Sequence, residues 1–400
     1  MDHSQKEVYI AAAVRSPVCK AKGVFRHKRP DDLLSEVLKG LMASRSHIPL
    51  EKIEDVIIGC AMPEAEQGMN VARIALLLAG FPNTVPGITL NRFCSSGLQA
   101  ISMAADRIAL GQADLMIAGG VESMSLVPMG GYHFAANPQY FESPENSEIA
   151  YSMGITAEIV AKKWNISRKD QDQFSLESHQ KALQAIHQEE FVDEIIPIEV
   201  THAIPDLSTK KIQTMSQIIS EDHGPRSDTN LLTLSKLPTV FAQQGTITAG
   251  NSSQMSDGAA ALLLMSERAM DEYQLEPIAK FKGFTVAGVA PEVMGIGPIA
   301  AVPKILQRTG ITLSEIDWIE LNEAFAAQSL AVIKELSLPK EKVNPCGGAI
   351  ALGHPLGATG AVLATKLIHG ARRRGMRYGL ETMCIGTGMG AASIFEMVNL

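Results

Sequence analysis

Two cysteines and one histidine stand where a side chain could do chemistry. Cys94 lies in the run Asn91-Arg92-Phe93-Cys94-Ser95-Ser96-Gly97, between an apolar stretch at 85–90 that reads as a short strand and a stretch at 98–108 with small and apolar residues at helical spacing. A cysteine on such a strand-to-helix turn sits where free backbone N–H groups and the positive end of the helix dipole converge. That setting favours thiolate over thiol and makes Cys94 a candidate nucleophile. Taken alone, the segment reads more readily as a buried, inert cysteine at a helix start. Two later turns change the balance. Gly347-Gly348-Ala349-Ile350-Ala351-Leu352-Gly353-His354-Pro355-Leu356-Gly357-Ala358-Thr359-Gly360 places His354 in a glycine-rich turn before an apolar helix, and Cys384-Ile385-Gly386-Thr387-Gly388-Met389-Gly390 places Cys384 where glycines admit a close ligand. A nucleophile, a base and a second thiol are thus available.

At this point the chain resembles the thiolase family, and within it the 3-ketoacyl-CoA thiolases (acetyl-CoA acyltransferases). The resemblance runs nearly end to end. It takes in Arg15-Ser16-Pro17, the Cys94 run, Gly119-Gly120-Val121-Glu122-Ser123-Met124, Met153-Gly154-Ile155-Thr156-Ala157-Glu158, and Thr248-Ala249-Gly250-Asn251-Ser252-Ser253 with Ser256-Asp257-Gly258-Ala259-Ala260. Asn322-Glu323-Ala324-Phe325-Ala326 and the His354 and Cys384 runs complete it, in family order.

Composition fits. The 400 residues exceed one typical core and suggest two or three domains; 46% hydrophobic and 33 glycines suit a compact α/β protein with many tight turns. A net charge of −8 and the lack of a Lys/Arg track argue against nucleic acid. No apolar run reaches membrane-spanning length, and the first residues lead straight into a strand at 8–14 with no signal peptide. The five cysteines (Cys19, Cys60, Cys94, Cys346, Cys384) show no CxxC spacing and read as reduced thiols of a cytoplasmic protein without structural zinc.

The chain also repeats itself. Lys52-Ile53-Glu54-Asp55-Val56-Ile57-Ile58-Gly59 is similar to Glu315-Ile316-Asp317-Trp318-Ile319-Glu320-Leu321-Asn322, an acidic lead-in and then an apolar strand. Cys94 follows the first and His354 the second. Either two α/β halves face one another across a pseudo-twofold axis, or these are ordinary βα units. The resemblance implies the former: a duplicated thiolase fold, five-layered αβαβα, with an inserted loop domain. The expected division is 1–120 plus 248–270 for the N-terminal half with Cys94, 121–247 for a loop domain, and 271–400 for the C-terminal half with His354 and Cys384. The polar 121–247 stretch is a lid over substrate or, alternatively, surface decoration. It holds a polar helix at 168–182 that Ser167 can cap.

Cys94 supplies a soft nucleophile once His354 takes its proton. Attack on a 3-ketoacyl-CoA breaks the bond between carbons 2 and 3, leaves the acyl group on Cys94 and releases an acetyl-CoA enolate, which Cys384 protonates. A second coenzyme A resolves the acyl-enzyme. The resemblance implies that His354 with a water held by Asn322 stabilises the enolate, and that the N–H groups of Cys94 and Gly386 stabilise the tetrahedral intermediate. It further places Ser253 on the pantetheine arm, Arg226 at the adenine end, and Met153 and Phe325 along the acyl pocket, although core packing accounts for the last two equally well and a solvated surface charge accounts for Arg226. Coenzyme A is a substrate; no permanently bound cofactor and no metal is expected.

Cys94-Ser95-Ser96-Gly97, with Ser152 where acetoacetyl-CoA-forming enzymes carry His, points to the degradative β-oxidation type working on longer chains. The alternatives are an acetyl-CoA acetyltransferase working in the condensation direction and a non-catalytic acyl-CoA or lipid-binding member. Cys384 argues against a ketoacyl synthase, and the presence of Cys94, Asn322, His354 and Cys384 together argues against a non-catalytic protein. Family members are homodimers or homotetramers, and some join a hydratase/dehydrogenase subunit.

Overall fold

The computed structural model describes residues 6–206, 208 and 210–398. Residues 1–5, which the sequence reads as running straight into the first strand, lie outside them. The strands are β1 (Tyr9–Arg15), β2 (Cys19–Lys20), β3 (Asp55–Gly59), β4 (Gly87–Leu90), β5 (Leu115–Ser123), β6 (Ile198–Asp206), β7 (Lys211–Ile219), β8 (Ser256–Met265), β9 (Ala279–Gly288), β10 (Ile316–Leu321), β11 (Tyr378–Ile385) and β12 (Met389–Met397). The helices are α1 (Pro30–Ala43), α2 (Val71–Leu78), α3 (Ser96–Ala109), α4 (Pro144–Ser147), α5 (Met153–Lys163), α6 (Arg168–His187), α7 (Leu231–Ser235), α8 (Glu267–Glu272), α9 (Gly297–Thr309), α10 (Ala326–Glu335), α11 (Ala349–Leu352) and α12 (Thr359–Arg373).

The strands run in the order β10-β11-β12-β9-β1-β8-β5-β3-β4. β1 and β9 touch over two residue pairs only, Tyr9–Lys280 and Ile10–Ala279, so the sheet is two sheets joined at one corner. Each half repeats one plan. β3 lies parallel to β5, which is antiparallel to β8, which is antiparallel to β1. β10 lies parallel to β11, which is antiparallel to β12, which is antiparallel to β9. The similar segments at 52–59 and 315–322 are the corresponding strands β3 and β10, so the duplication read from sequence is real.

Side-chain alternation builds the layers. In β8, Ala259, Ala261, Leu263 and Met265 join a core with α1 and α2, while Ala260, Leu262 and Leu264 join a second core with α3 and α12. The same central core takes Met383, Ile385, Ala391 and Phe395 from the C-terminal sheet, whose other face packs through Leu380, Ala392 and Ile394 on α9 and α10. Both faces of β1, β5, β8, β11 and β12 are buried, which is why these strands read as continuous apolar runs. The result is helix, sheet, helix, sheet, helix.

The middle layer is α3 beside α12. A Cβ on Gly97 would stand 2.8 Å from the Ala361 nitrogen, and one on Gly360 2.4 Å from the Leu98 nitrogen. No side chain fits between the two backbones there. Their N-terminal ends therefore meet, and with them the turns that carry Cys94 and His354.

The inserted segment leaves the N-terminal half between β5 and β8. In the C-terminal half the corresponding strands β11 and β12 are joined by Gly386, Thr387 and Gly388 alone. The insertion's longest helix, α6, starts as the sequence predicts: Ser167 Oγ accepts the Asp170 N–H at 3.2 Å. A buried ionic knot ties the insertion to β1, with Arg15 donating to Glu194 at 2.6 Å and to both oxygens of Asp222 at 2.7 and 2.9 Å.

The helix crossing yields a direct expectation. Alanine normally stabilises a helix over glycine by up to about 1 kcal/mol, but at Gly360 the methyl meets backbone. We expect Gly360→Ala to lower unfolding stability by roughly 1–3 kcal/mol, the usual cost of overpacking. Urea denaturation measures it, and an unchanged or raised midpoint would contradict the crossing.

Candidate active site

Cys94 sits in a one-turn 3-10 lead-in, Phe93–Ser95, ahead of α3. The turn is held by local bonds: Asn91 Oδ1 accepts the Phe93 N–H at 2.7 Å, and Ser96 Oγ accepts the Arg92 N–H at 2.8 Å while donating to the Phe93 carbonyl at 2.7 Å. Phe93 takes φ +46°, a costly left-handed conformation for an aromatic residue. Strain of this kind is retained where the surroundings fix a functional side chain.

His354 comes from the other half. Its N–H donates to the Gln254 carbonyl at 3.0 Å. Its ring meets Thr359 Oγ1 through Nδ1 at 2.6 Å and Asn322 Nδ2 through Nε2 at 3.3 Å. Asn322 follows β10 and is fully buried, and among the described residues its Oδ1 has no hydrogen-bond partner. Leu356, two residues after His354, packs in one apolar cluster with Cys94, Ala61 and Met124.

Cys384 lies inside β11, one residue before its end, rather than on the turn itself, and is fully buried. The turn that follows lays Gly386 against the Phe93 ring, next to Cys94. β11 packs against the Phe93–Ser95 turn, so Cys384 and Cys94 lie on the same contact between the two halves.

The protonation states differ from the sequence expectation in one respect. A helix start was expected to ease Cys94 toward thiolate. Instead burial dominates and pushes its thiol up to about 11, against the pull of the Gly386 and Cys94 N–H groups and with a further push from Glu122. Burial also raises Cys384, and the Cys94 charge adds to it. Burial pulls His354 down to about 4. The resting site is therefore two thiols and a neutral imidazole, all uncharged.

Glu122 is a site residue that motif reading quoted without assigning a role. Fully buried on β5, it accepts the N–H groups of Ala61 at 2.7 Å, Met62 at 3.2 Å and Gly357 at 2.8 Å. It thereby clamps the turn after His354 against the Cys94 half. Thr359 was likewise visible only as part of the glycine-rich run; its place five residues after His354 was the signal.

The binding candidates divide into two groups. Ser253 and Arg226 line a cavity of about 630 Å³ together with His179, Gly224, Gln254 and Met255. Gln254 and Met255 flank the His354 backbone, so the cavity reaches the catalytic turn. The Arg226 side chain is 64% exposed and pairs with Asp228 at 3.0 Å. Met153, at the start of α5, and Phe325 instead belong to the apolar cluster that contains Cys384, Ile247 and Met294. Phe325 stacks edge-on against Phe241 with centroids 6.3 Å apart. Ser152 caps α5 by accepting the Ile155 N–H at 3.5 Å.

The comparisons agree with this geometry. Residues 8–268 match the thiolase N-terminal domain and residues 275–397 the thiolase C-terminal domain. The chain belongs to the thiolase family. A 3-ketoacyl-CoA thiolase of Bacillus subtilis is 50% identical over 393 residues, which span 98% of this chain and 100% of that one. Among solved structures, the acetyl-CoA acetyltransferase of Bacillus anthracis superposes with a TM-score of 0.88 at 39% identity, covering 99% of this chain and 100% of the other. The human mitochondrial 3-ketoacyl-CoA thiolase gives 0.88 at 35% identity, covering 98% and 99%.

An uncharged resting site fixes how Cys94 responds to pH. The thiolate fraction of a group titrating near 11 rises roughly tenfold per pH unit below that value. We expect iodoacetamide to alkylate Cys94 slowly at neutral pH in the substrate-free protein, with a rate that climbs without a plateau to about pH 9.5. A plateau at neutral pH would mean a preformed thiolate–imidazolium pair.

Proposed function

We propose that this protein cleaves 3-ketoacyl-CoA with coenzyme A, giving acetyl-CoA and an acyl-CoA shortened by two carbons, as in fatty acid β-oxidation. The observation that carries the reading is one buried site drawn from both halves, in which the turn bearing Cys94 meets Gly386 and the β11 end that holds Cys384, and His354 is bonded to Asn322.

Cys94 Sγ attacks the C3 carbonyl as its proton passes to His354. The N–H groups of Cys94 and Gly386 hold the oxyanion of the tetrahedral intermediate. The C2–C3 bond breaks, the acyl group stays on Cys94, and the enolate of acetyl-CoA is stabilised by His354 and a water on Asn322 while Cys384 protonates carbon 2. The incoming coenzyme A thiol gives its proton to the Cys384 thiolate and attacks the thioester. Cys94 leaves with the proton held by His354, and every group returns to its resting state. Burial suits these roles: a raised thiol stays protonated and so holds the proton that the enolate takes, and a lowered imidazole returns its proton readily.

Coenzyme A lies in the 630 Å³ cavity, with its adenine end by Arg226 and its pantetheine arm passing Ser253 toward His354. The acyl chain runs along Met153 and Phe325, beneath the loop domain. Five free cysteines suit a reducing compartment, the cytoplasm. Exposed Ile88 on the open edge strand β4, with Leu77 and Leu78 on α2, supports a homo-oligomer.

Two experiments test this. Incubation with 3-ketoacyl-CoA in the absence of coenzyme A should place a stable acyl group on Cys94, found by peptide mass spectrometry, whereas label on Cys384 alone sinks the assignment. Cys384→Ala should slow C2–C3 cleavage by at least ~10²-fold, the lower range for a general acid, yet permit slow acyl transfer to Cys94.

The likeness to an acetyltransferase supports a second reading, a short-chain enzyme. Chain length separates the two. Each buried methylene is worth about 0.8 kcal/mol, so kcat/KM should rise by roughly an order of magnitude for two added carbons. A sharp maximum at acetoacetyl-CoA would assign the short-chain activity instead.

A further inference from the structure

Each ring nitrogen of His354 meets one side chain, and the two contacts are unequal. Thr359 Oγ1 lies 2.6 Å from Nδ1, whereas Asn322 Nδ2 lies 3.3 Å from Nε2. An amide NH2 group only donates, so Nε2 is the bare, accepting nitrogen. In a neutral ring the proton is then on Nδ1, and the short contact is Nδ1–H donating to Thr359 Oγ1.

Thr359 is built to hold a fixed position. It is the first residue of α12, is 1% exposed, and donates its own N–H to the Pro355 carbonyl at 3.1 Å. Its β-branched side chain has few rotamers. The next residue, Gly360, is pinned against α3, so the hydroxyl is referenced to the same helix crossing that places Cys94. Among the described residues, His354 Nδ1 is the only hydrogen-bond partner of this hydroxyl.

We propose that Thr359 is the positioning residue of the proton relay: by accepting Nδ1–H it fixes the His354 tautomer and leaves Nε2 as the nitrogen that takes the Cys94 proton and gives it back. The step balances. The S–H bond of Cys94 breaks as its sulfur bonds to the C3 carbonyl carbon, and the proton forms Nε2–H. The imidazolium keeps its Nδ1–H on Thr359 throughout. When Cys94 leaves the acyl group, Nε2–H returns the proton to sulfur. The long Asn322 contact opens easily as Nε2 becomes protonated, whereas the short Thr359 contact persists in both states and holds the ring still. A partner that fixes the tautomer of a histidine is a recurrent requirement of such relays.

The inference rests on the reading of His354 as the base, and the test separates the two. Thr359→Val keeps the shape and removes the acceptor; Thr359→Ser restores it. We expect T359V to lower kcat for acetoacetyl-CoA thiolysis by ~10- to 100-fold, in the range found for lost orienting partners of histidine, with KM for coenzyme A changed less than about twofold and T359S within about threefold of wild type. In wild-type protein labelled with 15N-histidine, the His354 signals should report Nδ1–H and a bare Nε2, and T359V should shift the ring toward a mixture of tautomers. A bare Nδ1 in the wild type overturns the proposal without recourse to any variant. So does wild-type kcat in T359V, or an equal loss in T359V and T359S accompanied by a lowered melting temperature, which marks a purely steric role. Retention of wild-type kcat by His354→Ala removes the base itself, a different outcome from any of these.

Discussion

The crossing of α3 and α12 is the contact on which the rest of this molecule depends. Two helices from two halves of the chain start at one place and touch backbone to backbone, which only Gly97 and Gly360 permit. Each helix start carries a turn, and each turn carries a reactive side chain. Closeness of the helices is therefore closeness of Cys94 and His354. The buried Glu122 carboxylate secures the arrangement from below, because it accepts N–H groups from the Cys94 half and from Gly357 of the other half. Removal of one partner from such a group leaves buried charge or unpaired donors, so the two halves are not free to slide.

Enclosure between two sheets sets the chemistry of the site. Charge is costly there, and each titratable group responds by remaining neutral: the thiols are pushed up and the imidazole down. The unpaired Asn322 oxygen belongs to the same logic, since an unpaired buried acceptor in a native site marks a place for water or substrate.

The two halves share strand order but diverge between their third and fourth corresponding strands. In the C-terminal half a three-residue turn closes β11 onto β12 and delivers Gly386 to Cys94. In the N-terminal half the same junction opens into the long insertion that supplies α5, α6 and the cavity wall around Arg226. One position in a duplicated fold thus gives a tight turn beside the Cys94 segment in one copy and a cavity wall in the other. The Arg15, Asp222 and Glu194 knot fixes the insertion to the first strand of the core.

Local patterns by themselves determined much of this protein. A cysteine before a run of small helical residues, a histidine in a glycine-rich turn and apolar strands buried on both faces depend on nearest neighbours and on periodicity, which a sequence displays. The repeat at 52–59 and 315–322 was legible for the same reason, and the Ser167 cap because capping is a three-residue matter. Protonation was not legible. The expectation of an eased Cys94 thiolate considered the helix start and could not weigh the burial imposed by residues hundreds of positions away. Nor could Thr359 or Glu122 be assigned, since one acts through a ring nitrogen and the other through N–H groups on two segments far apart in the chain. Which turns meet and what they bury are set by the packing of distant segments, and only the tertiary structure decides them.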